Sequence, residues 1–296
     1  MMPWLETFYR PATVFEAVRL VKQRVGRVRF VGGGTDLRPD RAVKALVDTT
    51  SLKLAYIRRR DGGWAIGAAT TLGEIERSEG IRGLADGLLS SVVKAAGSAQ
   101  VRNLATLGGR LASASPAAAE IAAALLVLDA AVAMAGPRGS RSVPLEQFYH
   151  GARRTVLGDS LLTEITIPDS QRGHGPGARA AWSFQRTGRL DSDLAVAGVA
   201  AGVGFDGQGM CLWARLALAG LTPAGTPAAG PVPALRVPAA ERLLAGRRLD
   251  PALIERACDR ACAEMKPAGD SRATAAYRME VARVLVRRAL ADCAAG

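Results

Sequence analysis

The hydrophobic positions change period several times along the chain, and each change predicts an element. Val14, Val18, Val21 and Val25 recur every three or four residues behind Thr13 and Glu16, which have capping-box spacing, so an opening helix is expected. From Arg27 to Val31 basic and apolar residues alternate as in a short strand. A second strand is expected over Ala45 to Asp48, with a turn at 49–51. The runs 54–59 and 64–69 flank Asp61-Gly62-Gly63 and predict a hairpin. Thr71 to Glu74 repeats the capping-box signal ahead of a short helix, and Leu84, Leu88, Leu89, Val92 and Val93 mark another. Residues 100–109 read as a loop. Pro116 suits the first residue of a helix running to about Leu128. Strands follow near 130–134 and at Leu161–Ile167, the latter ended by Pro168.

Beyond residue 168 the order of elements is different. Gly173, Gly175, Pro176 and Gly177 break up residues 169–179, the best candidate for a linker between a first domain over 1–175 and a second over 176–296. Strand-like runs follow at 181–186, 194–205 and 210–219. Gly and Pro then crowd 220–238, and helical stretches lie near 238–246, 251–265 and 273–291, the last carrying Tyr277, Val281, Val284, Leu285 and Arg288. Helices segregated behind antiparallel strands predict an α+β fold, not an alternating doubly wound sheet. The chain shows no internal repeat.

Composition narrows the function classes. With 49% hydrophobic residues the chain can bury a real core, and Lys+Arg 39 against Asp+Glu 27 leaves a formal charge of +12. That excess admits nucleic acid, anionic ligands or an acidic partner. Aromatics at 5% are too few for stacked-base platforms, however, and no basic block is longer than Arg58-Arg59-Arg60. A nucleic-acid binder is therefore a weak alternative, and the arginines are expected on solvated faces or in ion pairs. The first residues do not resemble a signal peptide. The alanine-rich stretch 111–135 is broken by Pro116, Glu120 and Asp129, short of the roughly 20 apolar residues of a membrane span. A cytoplasmic protein without a membrane span is expected. Cys211, Cys258, Cys262 and Cys293 form no Cys-x-x-Cys pair and lie far from His150 and His174, so reduced thiols are expected and no metal or iron–sulfur site.

Two glycine-rich segments carry the candidate chemistry. The first strand runs through Val31 into Gly32-Gly33-Gly34-Thr35-Asp36-Leu37. A strand ending in successive glycines leaves backbone N–H groups facing an open turn, a nest able to hold pyrophosphate oxygens without a cationic side chain. Glycine allows both φ > 0 and close approach. Thr35 adds a hydroxyl donor, and Asp36 can accept from a ribose or cap the next turn. The segment is neither G-x-G-x-x-G nor a P-loop, and taken alone a strand-to-helix turn with special dihedrals accounts for it. The second segment, Thr106-Leu107-Gly108-Gly109-Arg110-Leu111-Ala112-Ser113-Ala114-Ser115-Pro116, sets hydroxyls on both sides of a glycine pair, ahead of a helix start with free N–H groups. Ser115-Pro116 can equally cap a core helix. Together the segments describe two polar cradles able to converge on one dinucleotide.

The segments Val31 through Leu37, Arg102-Asn103-x-x-Thr106-Leu107-Gly108-Gly109 and Ser115-Pro116 resemble the flavoprotein subunit of the molybdenum hydroxylases, the family that includes the medium subunits of carbon monoxide and xanthine dehydrogenases. Asp270-Ser271-Arg272-Ala273-x-x-Ala276-Tyr277-Arg278, with Val284 through Leu290, resembles the family's closing helix, so the likeness spans essentially the whole chain.

The resemblance implies an FAD domain of the vanillyl-alcohol-oxidase (PCMH) type, followed by a three-stranded antiparallel sheet with a helical bundle. It implies that Gly32 through Leu37 and Thr106 through Gly109 hold the pyrophosphate and ribitol of FAD, with further polar contacts from Ser113 and Ser115. Leu162 matches an apolar contact near the adenine or flavin, and Gln185 a position that is often Lys near the flavin ring. Arg110 replaces a common Asn: either it points to a phosphate, or it faces solvent and only its backbone binds. Where the family usually has an Asp, Ala119 stands, with Glu120 one residue later as the candidate substitute. The implied role is electron transfer. A small subunit with two iron–sulfur clusters and a large molybdopterin subunit would be partners in a heterotrimer or a dimer of heterotrimers. FAD would be the only cofactor of this chain, with quinone, NAD or oxygen as acceptor and no catalytic residue here. A free-standing flavin oxidoreductase of the same fold is the alternative.

Overall fold

The computed structural model describes residues 3–23, 26–151, 153–169, 177–190, 192–221 and 232–296. The N-terminal half contains two sheets. In the smaller, β1 (Thr7–Tyr9) and β2 (Val28–Val31) both pair in parallel with a central β3 (Ala45–Asp48). Helix α1 (Val14–Gln23) crosses from β1 to β2 and buries Ala17, Val18 and Val21 against Val28, Ala45 and Val47, as its apolar spacing requires. The Glu16 amide donates to Thr13 Oγ1 at 3.1 Å. Val25, expected to extend this helix, lies outside the described residues. β1 was not anticipated: three residues are too few for a period to emerge.

The larger sheet, antiparallel throughout, is ordered β4-β5-β10-β6-β7. Here β4 (Ile57–Arg60) and β5 (Gly63–Gly67) form the expected hairpin. β6 (Ala131–Gly136) and β7 (Gly139–Pro144) form a second, and β10 (Leu161–Pro168) is the central strand. A two-stranded ribbon, β8 (Tyr149–Gly151) with β9 (Arg154–Thr155), lies between. Helices α2 (Leu72–Arg77), α3 (Glu79–Arg82), α4 (Leu88–Lys94), α5 (Ala99–Leu104), α6 (Leu107–Ser113) and α7 (Ala119–Val127) share one core cluster with this sheet. The Thr71–Glu74 capping box is present, both partners donating to and accepting from one another. Pro116 heads a short 3-10 turn, Pro116–Ala118, that leads into α7.

Antiparallel strands in the order β11 (Arg179–Thr187), β12 (Ala197–Phe205), β13 (Cys211–Ala219) and β14 (Ala234–Arg236) build the C-terminal half. The expected three-stranded sheet is there, and the short β14 is added at its edge, in a Gly/Pro-rich stretch that hid it. Every residue of β12 is buried. α7 covers one face and α10 (Ala275–Ala295) the other, so β12 reads as a continuous small apolar run without alternation. α8 (Pro238–Leu244) and α9 (Pro251–Ala263) complete the bundle against β13 and α10. Apart from Glu120 in its first turn, α7 is apolar all round and buried, as a helix enclosed on every side must be. Its core takes in Ala200, Ala217, Ala219 and Ala234 of the C-terminal sheet. The linker expected at 169–179 falls mainly on residues 170–176, outside the described residues. No helix among the described residues is long and apolar enough to cross a membrane.

Candidate cofactor-binding site

β2 carries the buried Val31 to the edge of its sheet, and the chain then turns away through Gly32 to Leu37. Gly34 has φ +68°, a left-handed conformation costly for any residue with a Cβ. Among the described residues, the backbone N–H groups of Gly33, Gly34, Thr35 and Asp36 make no hydrogen bond. The next, Leu37 N–H, donates to the Gly34 carbonyl at 3.2 Å. The turn is therefore a row of open donors, the nest that successive glycines suggest.

The second segment presses against this turn. A Cβ on Gly33 would lie 1.6 Å from the carbonyl oxygen of Leu104, and one on Gly32 would lie 2.6 Å from Thr106 Oγ1. A side chain at Gly33 would have to displace backbone, and one at Gly32 would have to displace the Thr106 side chain. The loop expected at 100–109 is instead two short helices, α5 and α6. Ser98 caps the first by accepting from Val101 N–H at 3.4 Å, and Thr106 caps the second by accepting from Gly109 N–H at 3.2 Å. The glycine pair masked this helix start, because glycine lowers helix propensity while remaining harmless in a first turn.

The donors of this segment are already engaged. Leu107 and Gly108 N–H donate to the carbonyls of Thr70 and Ala68, each at 2.9 Å. Ala117 N–H donates to Ser115 Oγ at 3.2 Å, and Ala118 N–H to the Ser115 carbonyl at 2.9 Å. The expectation of free N–H groups at the second helix start is thus corrected: the open amides belong to the first segment, and the second contributes hydroxyls and Arg110.

A polar knot ties the two together. Ser115 Oγ donates to Asp36 Oδ2, Ser113 and Ser115 hydroxyls lie 3.1 Å apart, and Ser113 Oγ donates to the Arg110 carbonyl at 2.8 Å. Arg110 is 7% exposed, so of its two expected placements the solvent-facing one is excluded. Burial pulls its pKa down and the charge of Asp36 pushes it back up. Its Nε is buried without a hydrogen-bond partner.

The FAD binding domain in molybdopterin dehydrogenase matches residues 5–170, and the CO dehydrogenase flavoprotein C-terminal domain matches residues 182–293. The chain belongs to the FAD-binding flavoprotein subunits of the molybdenum hydroxylase family. It is 32% identical to the 6-hydroxypseudooxynicotine dehydrogenase complex subunit alpha of Paenarthrobacter nicotinovorans, over 94% of this chain and 91% of that one. It is 29% identical to the carbon monoxide dehydrogenase medium chain of Hydrogenophaga pseudoflava, over 98% and 97%. Reconstituted CO dehydrogenase from Oligotropha carboxidovorans superposes with a TM-score of 0.87 at 28% identity, covering 100% of this chain and 99% of that one. This flavoprotein subunit is part of an oxidoreductase, and its cofactor is FAD. The cradle fits an FAD pyrophosphate on three counts: open amides, glycines where a Cβ would close the gap, and a buried guanidinium with unused donors.

Other candidate residues of the flavoprotein subunit are placed differently. Leu162 is 3% exposed on β10 opposite Met134, in the same core cluster as Leu107 and Leu111, so it supports the second segment from beneath. Glu120 turns towards the C-terminal half, where Arg186 Nε donates to it at 2.7 Å. Burial raises its pKa against the pull of that guanidinium. Ala119 is buried at the start of α7. Gln185 Nε2 donates to Asp292 Oδ2 on α10 at 2.6 Å, on the face of β11 opposite Phe184 and Arg186, its neighbours in a period of two.

Sequence reasoning missed Arg186, which holds Glu120 and, through Nη2, the Asp193 carbonyl at 2.6 Å. It also missed the Leu104 carbonyl that fixes Gly33. The only sequence signal for Arg186 was its strand parity with Phe184, and a backbone carbonyl leaves no signal. Cys211, Cys258 and Cys293 are buried free thiols, and burial pushes Cys211 up to about 12. Among the described residues no three His, Cys, Asp or Glu side chains converge as a metal site.

Proposed function

We propose that this flavoprotein subunit takes electrons from an iron–sulfur subunit and delivers them through FAD to an acceptor, while the organic substrate is oxidised in a molybdopterin subunit. The row of open amides from Gly33 to Asp36, closed against Thr106 and Leu104, carries this reading. In it, these amides hold the pyrophosphate oxygens, and the hydroxyls of Thr35, Thr106, Ser113 and Ser115 contact the phosphates or ribitol. Val31, Leu37 and Leu107 exclude water around them. Gly108 lets α6 seat on Ala68, where a Cβ would approach to 2.6 Å. When bound, FAD supplies the capacity to accept electrons singly and release them in pairs.

The names of the relatives support a multi-subunit complex, one being a complex subunit alpha and another a medium chain. The partners are proposed to be a two-cluster iron–sulfur subunit and a molybdopterin subunit, with quinone, NAD or oxygen as acceptor. A domain boundary near residue 175 agrees with the two family matches, which end at 170 and begin at 182.

The test is the absorbance spectrum of flavin released by acid from the purified chain, together with the subunits that co-purify from the native host. One FAD per chain and two companion subunits are expected. A folded chain that neither retains nor takes up FAD would overturn the reading.

A further inference from the structure

Arg110 and Arg278 are the two buried arginines among the described residues; each has an unpartnered Nε, and they differ in what the rest of the guanidinium meets. Arg278, 1% exposed, donates to Asp270 and to the carbonyls of Val196 and Gly220. Arg102 donates to Glu76 and the Gly97 carbonyl, and Arg236 to Glu241 and Asp129. Arg110 is 7% exposed, yet among the described residues no acceptor hydrogen bonds to its guanidinium and no carboxylate forms an ion pair with it. A guanidinium carries five N–H donors. The nearest opposite charge, Asp36, acts on it only through space, its Oδ2 already accepting from Ser115. A guanidinium nitrogen buried without a hydrogen bond, as Nε of Arg110 is, costs stability. Removing it from the empty fold should cost nothing or help, unless the guanidinium meets an anion in the working protein.

We infer that Arg110 is the side chain that neutralises the FAD pyrophosphate, supplying the charge that the neutral amides of Gly33 to Asp36 lack. The inference rests on FAD occupying this cradle. The open amides and Arg110 then have distinct duties. The amides fix the position of the phosphate oxygens, and the guanidinium balances their charge against the adjacent Asp36 carboxylate. Arg, with its bidentate fork, suits that duty better than Lys.

The experiment uses the full-length chain stripped of flavin, in wild type, Arg110→Met and Arg110→Lys. It measures FAD affinity by titration at several salt concentrations, and the thermal midpoint with and without FAD. Arg110→Met should weaken FAD binding roughly 10- to 100-fold, flatten its salt dependence, and leave the flavin-free midpoint equal to or above wild type. Arg110→Lys should recover part of the affinity. Equal FAD affinity of wild type and Arg110→Met, or a salt dependence unchanged between them, would overturn the inference while leaving the cofactor assignment intact. So would an Arg110→Met chain that is unstable or unfolded without FAD, since the guanidinium would then be structural. A wild-type chain that binds no FAD would instead overturn the cofactor assignment itself.

Discussion

Two polar regions of this flavoprotein subunit are both partly enclosed, and their bookkeeping of donors and acceptors is opposite. At the seam between the halves, α7 is clamped at both ends. Glu120 meets Arg186 at one end. At the other, Asp129 meets Arg215 and Arg236, and Arg236 also donates to Glu241 at 2.7 and 2.8 Å. Glu241 further accepts from Leu216 N–H at 2.9 Å. Apart from Nη1 of Arg215, the charged groups there are matched within the chain. In the cradle, donors exceed acceptors: amides from Gly33 to Asp36 and the guanidinium of Arg110 have no acceptor among the described residues. Charge alone does not distinguish a binding site from a structural joint. Unmatched donors held in place by rigid neighbours do.

The largest effect should come from closing the cradle. Gly33→Ala puts a methyl into the Leu104 carbonyl and must displace the turn. FAD affinity should fall roughly 100-fold or more, about 3 kcal/mol, measured by titration, with the C-terminal half unaffected. Asp129→Asn addresses the seam. Asn tolerates the left-handed φ of 50° there but removes the charge between two guanidinium groups. Unfolding stability should drop by about 1–3 kcal/mol with FAD affinity unchanged. An Asp129→Asn chain that lost FAD affinity while keeping its stability would erase the contrast between the regions.

Much of the architecture was legible because it rests on period and punctuation. The side-chain cap at Thr13, the capping box at Thr71, the hairpin at Asp61-Gly62-Gly63 and the α+β order all appear in the fold, although Glu16 accepts from Ala12 N–H and so leaves the Thr13 box incomplete. What was not legible depends on partners distant in sequence. α6 was hidden by Gly108 and Gly109, whose place in a helix is decided by the Thr106 cap and by the carbonyls of Ala68 and Thr70. Glu120 and Gln185 carry charge or polarity suited to a cofactor. Arg186 on β11 and Asp292 on α10 engage them, and only the fold brings those together. The cradle itself was readable because its requirement, absence of a Cβ, is written directly as glycine.

Smaller effects separate carboxylates by the sign of their pH dependence. Glu120 is raised by burial, so its contribution is present below the ordinary glutamate range and fades as pH rises through its raised value. Burial also pushes Asp270 upward, but hydrogen bonds from Arg272 and Arg278 outweigh it and hold the carboxyl well below the usual range. Its contribution is present at neutral pH and is lost on acidification below about pH 4. In denaturant titrations at several pH values, wild type should gain on Glu120→Gln as pH falls, and Asp270→Asn should flatten the acid limb, each by under about 1 kcal/mol. Matching signs for the two variants would contradict this assignment.

Amide hydrogen exchange on the flavin-free and FAD-bound chain tests the central claim most directly, because the claim is about named N–H groups. FAD should protect the amides of residues 33–36 strongly while leaving those of the seam around Asp129 and Arg215 at their flavin-free rates. FAD bound at one per chain with residues 33–36 exchanging as fast as before would show that the cradle lies elsewhere.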